Sequence, residues 1–129
     1  MKRVMIFGIF DGIHKGHRDF FRAAKEYGDY LIAVVAQDHI VEHIYGKLPK
    51  VNLADRFAHL EREDEVNQIV IGEPTASVVN LVKRYEPNAL IFSTTQELLH
   101  EDFERHKKEI PFQVTVHTVE GHETLQHPL

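Results

Sequence analysis

The 129-residue chain has no cysteine and no tryptophan. Without thiols there is no disulfide frame, no thiol nucleophile and no cysteine-based metal site, so stability must come from an apolar core, which a chain of this length can bury. Long apolar runs are missing too: no stretch approaches the roughly twenty residues needed to span a bilayer. The basic pair in Met1-Lys2-Arg3 precedes an apolar run that ends at Gly8-Ile9-Phe10-Asp11 without a cleavage-type segment, so no signal peptide is expected. A cytoplasmic location and no membrane partner follow as expectations. Positive charge is not in excess either. Fifteen Lys and Arg against twenty Asp and Glu give a formal net charge of −5, which argues against a broad nucleic-acid-binding face. Any polyanionic ligand must therefore meet cations placed locally.

What the chain does contain is an alternation of strand-like and helix-like segments. Apolar runs at Val4 to Phe7, Tyr30 to Ala36, Gln68 to Gly72, Ala89 to Phe92 and Gln113 to Thr118 predict five strands of the buried, parallel kind. Helical spacing predicts a helix from His17 to Tyr27 stopped by Gly28, one capped by Asn52 with Asp55 at its third position, one over Ala76 to Tyr85 ended by Pro87, and one over Gln96 to Glu109 ended by Pro111. This order predicts one α/β domain over residues 1–129, a Rossmann-like, doubly wound, parallel five-stranded sheet with ligands at the carboxyl ends of the strands near the switch point.

One segment concentrates chemistry. Gly8-Ile9-Phe10-Asp11-Gly12-Ile13-His14-Lys15-Gly16-His17 lies between the first strand and the first helix, with two histidines three residues apart among glycines. Gly8 and Gly12 permit tight backbone geometry, and the free N–H groups opening a helix favour an anion. Imidazoles there can donate to phosphate oxygens and add charge near neutral pH. His14-x-x-His17 is also half of a metal-ligand pattern, but no third ligand stands at helical spacing, so no metal site is expected.

Gly8, Phe10, Asp11, His14, Gly16 and His17 match the signature G-x-F-D-x-x-H-x-G-H, and the chain resembles the cytidylyltransferase-like nucleotidyltransferases. The resemblance implies a sheet of the HIGH nucleotidyltransferase type and attack by an acceptor phosphate on the α-phosphorus of a nucleoside triphosphate, releasing pyrophosphate. It assigns to His14 and His17 the holding of the triphosphate and stabilisation of the transition state. Size and arrangement are most like the glycerol-3-phosphate cytidylyltransferases, which favours CTP over ATP. Gly12 in F-D-G-x-H-x-G-H also looks like FAD synthetases, keeping adenylyl transfer to a flavin or pantetheine phosphate as the competing reading. A nucleotide-binding module without turnover is a third.

A second cluster, Lys47, Lys50 and Arg56, runs from a loop into the Asn52-capped helix. In the resembled family this segment brings one or two lysines to the triphosphate and an arginine to a helix start, so Lys47 is a candidate catalytic residue and Lys50 and Arg56 candidate nucleotide contacts. Which lysine acts stays open. The family's stretch after the fourth strand reads Ser93-Thr94-Thr95 here, leaving Ser93 and Thr94 as candidate hydroxyls for base or ribose. The family pattern R-T-x-G-I-S-T-T aligns with Thr118-Val119-Glu120-Gly121-His122-Glu123-Thr124-Leu125. Gly121 and Thr124 survive as candidate nucleotide contacts, while Thr118 replaces the arginine and Glu123 the serine. Glu123 at a helix N-terminus would repel a triphosphate; His117, His122 or Arg105 are the residues able to restore charge. The expected partners are CTP or ATP with Mg²⁺ and a phosphorylated small-molecule acceptor, with no nucleic acid. A homodimer is expected by resemblance, with apolar Val34, Ile40 and Ile44 beside the contact.

Overall fold

The computed structural model describes residues 1–72 and 78–126. Five strands, β1 (Arg3–Gly8), β2 (Tyr30–Val35), β3 (Gln68–Ile71), β4 (Ala89–Ser93) and β5 (Thr115–Val119), form one sheet in the order β3-β2-β1-β4-β5, with every neighbouring pair parallel. This is the expected doubly wound sheet. Helices α1 (Lys15–Lys25), α2 (Asp38–Tyr45), α3 (Leu53–Glu61), α4 (Val78–Tyr85) and α5 (Glu97–His106) connect the strands, a single 3-10 turn following α5. The predicted opening of α4 at Ala76 lies outside the described residues.

The alternation of side chains along β1 builds two cores, one on each face of the sheet. Met5 and Phe7 point to the side packed by α4 and α5, with Leu81, Leu99 and Phe103, whereas Val4 and Ile6 face Phe20, Phe21 and Leu60 of α1 and α3. All ten are fully buried, and each contributes on the order of 1.5–3 kcal/mol through removal from water.

Two local results differ from the sequence reading. Helix α2 was not expected. Its eight residues bury only Val41, so its apolar stripe is too short to register as a period, and it ends where Gly46 turns left-handed at φ 79°. Val34, expected on a dimer surface, is 1% exposed in the core, because a residue of an interior strand has both neighbours paired. Ile40 and Ile44 are half-buried on α2, so the expected patch shrinks to those two. The Asn52 cap is present as predicted, its Oδ1 accepting from the Asp55 N–H at 2.9 Å.

Strands β1 and β4 pair only at Val4–Ala89 and Met5–Leu90. They diverge toward their carboxyl ends, opening the crevice of the switch point. Gln96, fully buried, fills its floor: the side chain donates to the carbonyls of Phe7 (2.8 Å) and Leu125 (2.9 Å) and accepts from the Ser93 N–H (3.1 Å). The C-terminal segment is thereby tied across the ends of both strands.

Candidate active site

The loop Ile9 to His14 carries the chain from β1 into α1, and His14 caps that helix. Its Nδ1 accepts from the Gly16 N–H at 3.0 Å, and Nδ1 of His17 lies 3.4 Å from the His14 N–H in the reciprocal position. This is a capping box in which two imidazoles stand where Ser and Glu usually do. The consequence is chemical. A neutral ring that accepts at Nδ1 carries its proton on Nε2, so both rings turn a donor away from the helix.

A third imidazole completes the group. His122, from the segment after β5, sits with its ring centroid 4.6 Å from that of His14 and 5.1 Å from that of His17; His14 and His17 are 4.4 Å apart. One ring nitrogen from each lies within 4.8 Å of the others. The expectation that no third ligand stands near His14 and His17 is corrected: the partner comes from more than a hundred positions along the chain, where helical spacing cannot reveal it. His17 is 2% exposed, and its Nε2 has no hydrogen-bond partner. It lies 3.4 Å from the Glu123 Oε2 but out of line for a bond.

Glu123 overturns another expectation. The described C-terminal segment contains no helix at this point, and Glu123 is 1% exposed. Its carboxylate accepts from the N–H groups of Ile9 (2.7 Å), Phe10 (3.2 Å), Thr124 (2.8 Å) and Leu125 (3.1 Å). It is therefore an internal staple between the glycine turn and the C-terminal segment, accepting from four backbone N–H groups. Gly8 makes room for it, since a Cβ there would stand 2.5 Å from Oε2. Gly16 does the same for His122, whose Cβ would be 2.8 Å from a Cβ at position 16. Gly121 packs on Phe20. These glycines admit the C-terminal segment to the turn, and none of the three lines the cleft.

The three imidazoles open on a cleft of about 570 Å³. Lys47, Lys50, Asp11 and Thr124 line its polar side, and Ile9, Val41, Tyr45, Leu48 and Pro49 an apolar wall. Asp11 does not point free into it: Oδ2 accepts from the Lys50 N–H and Oδ1 from the Val51 N–H, both at 2.8 Å. Asp11 thus pins the lysine loop over the histidines. Tyr45 ties α2 to the C-terminal segment, its hydroxyl donating to the Thr124 carbonyl at 3.1 Å and accepting from the Gln126 N–H at 2.8 Å. Burial lowers the pKa of His14 below its ordinary value, and repulsion from His17 and His122 adds to the effect.

Of the residues singled out in the sequence, His14, His17, Lys47, Lys50, Asp11 and Thr124 meet at this cleft; besides Gly8, Gly16 and Gly121, four others do not. Arg56 is fully buried, donating to the carbonyls of Val51 (2.9 Å) and Ile9 (2.8 Å) and to Asp38 (2.7 Å), which commits its guanidinium to holding loops together. Phe10 is fully buried against Phe21 and His17, at a left-handed φ of 54°. Ser93 is buried and bonded to Thr95, and exposed Thr94 lies outside the lining of the cleft. Among the substitutes for the lost arginine, Arg105 pairs with Asp102 on α5 and His117 stacks on Tyr27, leaving His122 as the one at the cleft.

A switch-point crevice with helix-capping imidazoles and loop lysines defines a nucleotidyltransferase. The family assignment agrees: a sequence model of the family described as cytidylyltransferase-like matches residues 5–126, and the chain belongs to that family. Among curated proteins it is similar to an FAD synthase of Pyrococcus horikoshii, 38% identical over 114 residues that cover 88% of this chain and 77% of the relative. An FAD synthase of Thermococcus kodakarensis is 34% identical over 108 residues, 81% of this chain and 72% of that one. Among solved structures, the lipopolysaccharide core biosynthesis protein from Thermoplasma volcanium GSS1 superposes with a TM-score of 0.84 at 24% identity, covering 95% of this chain and 99% of that chain, a likeness of fold. Both of these relatives carry the name FAD synthase, not that of a cytidylyltransferase.

Proposed function

We propose that this chain is an adenylyltransferase that joins AMP from ATP to the phosphate of FMN, giving FAD and pyrophosphate. The observation that carries the reading is the 38% identity to an FAD synthase across 88% of the chain. Gly12 within F-D-G-x-H-x-G-H and the apolar wall of Val41, Tyr45, Leu48 and Pro49, suited to a flat ring system, support it.

In the reaction an oxygen of the FMN phosphate attacks the α-phosphorus of ATP. A phosphorus–oxygen bond forms as the bond from that phosphorus to the bridging oxygen breaks, and pyrophosphate leaves with the electron pair. His14 and His17, held by their helix caps with Nε2–H outward, donate to the non-bridging phosphate oxygens as charge shifts among them. No proton transfer is needed to arm them. Lys47 and Lys50, on the loop pinned by Asp11, add the positive charge that an acidic protein must concentrate locally.

Mg²⁺ arriving with the nucleotide would supply further positive charge against the triphosphate. The described cleft residues do not fit a Mg²⁺ site of their own. Both Asp11 oxygens are taken by backbone N–H groups, and Glu123 is buried behind the turn.

The test is a product assay with FMN or glycerol 3-phosphate as acceptor and ATP or CTP as donor, separating the products by chromatography and counting pyrophosphate. FAD from ATP and FMN, with one pyrophosphate per turnover, is expected. CDP-glycerol as the main product would replace this reading with the cytidylyltransferase one.

A further inference from the structure

We propose that His122 is a third phosphate-binding catalytic residue, forming with His14 and His17 a three-imidazole clamp on the triphosphate. The proposal deepens the nucleotidyl-transfer reading above and rests on it. The cytidylyltransferase pattern that the segment resembles has an isoleucine where this chain has His122.

Four observations support it. His122 lines the same cleft as His14 and His17, with its ring 4.6 Å and 5.1 Å from theirs. Its position is built: Gly16 leaves the space its Cβ occupies, and Glu123 beside it is fixed by four backbone N–H groups. The Nε2 of His17 is buried without a hydrogen-bond partner, and the ring stands edge-on to that of His122 at the lining of the cleft, so the cluster holds an unsatisfied donor. A further donor is needed there, because Thr118 stands where the resembled pattern has arginine and Arg105 pairs with Asp102.

Three imidazoles with nitrogens this close also resemble a transition-metal site. The caps decide against that. With Nδ1 of His14 and His17 facing backbone N–H groups, the outward nitrogens carry protons and have no lone pair for a metal, whereas they are ready donors for an anion. His14 and His17 therefore meet the ligand as neutral donors, and His122 adds a third ring at the same cleft.

The experiment is calorimetric titration of inorganic tripolyphosphate with Mg²⁺ into wild type, His122→Ala and His122→Gln at pH 7. Because the probe has neither base nor acceptor, its outcome is independent of whether FMN and ATP are the substrates. Expected are a roughly tenfold or greater loss of affinity in His122→Ala and partial recovery in His122→Gln, whose amide N–H replaces the donor. In the nucleotidyl-transfer assay, kcat/KM of His122→Ala should fall by about ten- to a hundredfold. Equal affinity in wild type and His122→Ala would overturn the proposal. So would one equivalent of Zn²⁺ or Co²⁺ held by wild type and lost in His122→Ala, with tripolyphosphate binding unchanged by that loss.

Discussion

Replacing Glu123 by serine removes the acceptor that ties the glycine turn to the C-terminal segment. Four backbone N–H groups lose their partner, and those of Ile9, Phe10 and Leu125 belong to residues no more than 4% exposed. Each buried donor left unpaired costs about 1–3 kcal/mol, and water reaching the exposed Thr124 relieves the fourth, so the total for the other three is about 3–9 kcal/mol. That is a large part of the ~5–15 kcal/mol by which a domain of this kind is stable. With a urea m-value of about 2 kcal/mol/M, the unfolding midpoint should drop by about 1.5 M or more. Phe10 sits at φ 54°, a conformation held against its own preference by the bond to Glu123. The turn should relax in the variant, and nucleotide affinity should fall with it.

The sequence alone leads to the opposite sign. A glutamate at an exposed helix N-terminus repels a triphosphate, and its replacement by serine would tighten binding by about 1 kcal/mol. Urea unfolding and calorimetry with ATP on wild type, Glu123→Ser and Glu123→Gln separate the two. Glutamine keeps one acceptor oxygen but turns N–H groups toward the Phe10 N–H, so its loss should be intermediate. A Glu123→Ser protein with an unshifted midpoint and tighter ATP binding would refute the staple.

His17→Ala and His14→Ala should each reduce turnover by about a hundredfold through loss of a preorganised donor, and His14→Ala should also cost about 1 kcal/mol of stability as the α1 cap is lost; turnover unchanged in the double variant would remove the catalytic assignment. Arg56→Lys loses at least one of the bonds to Ile9, Val51 and Asp38 and should destabilise by about 1–3 kcal/mol while kcat/KM per folded molecule changes little; a large kinetic loss at full stability would return Arg56 to the substrate. Because the folded pKa of His14 lies below its unfolded value, the unfolded chain takes up protons first as pH falls. Its contribution to stability is therefore complete above the ordinary histidine pKa of about 6.5 and is lost below it; thermal melts at pH 7.5 and 5.5 should show that loss, and His14→Ala should reduce it.

The sheet was legible because each of its strands announces itself locally. Tyr30 to Val35 is a continuous apolar run between Gly28 and Gln37, and the pairing of β2 between β1 and β3 explains why none of its side chains is polar apart from the terminal tyrosine hydroxyl. The turn was legible for the same reason: its glycines and histidines are neighbours in the chain. Helix α2 escaped because eight residues that bury a single valine leave little period to detect. Arg56 and Glu123 were misread for a different reason. A charged residue in a motif region suggests a ligand, but both side chains spend their bonds on backbone groups of loops distant in sequence, and only the folded chain shows that those groups are near.

His122 and Glu123 divide two tasks between adjacent positions. Alternation along the extended segment turns Glu123 inward, onto the N–H groups of Ile9 and Phe10, and places His122 and Thr124 at the cleft. The inward residue fixes where the segment lies, and the outward ones inherit that precision. A serine at position 123 has no reach to four N–H groups, so the glutamate and the left-handed Phe10 it supports belong together, as do Gly8, which leaves room for the carboxylate, and Gly16, which leaves room for His122. The chain's departures from the family pattern are thus coupled to one another through contacts with the unaltered turn.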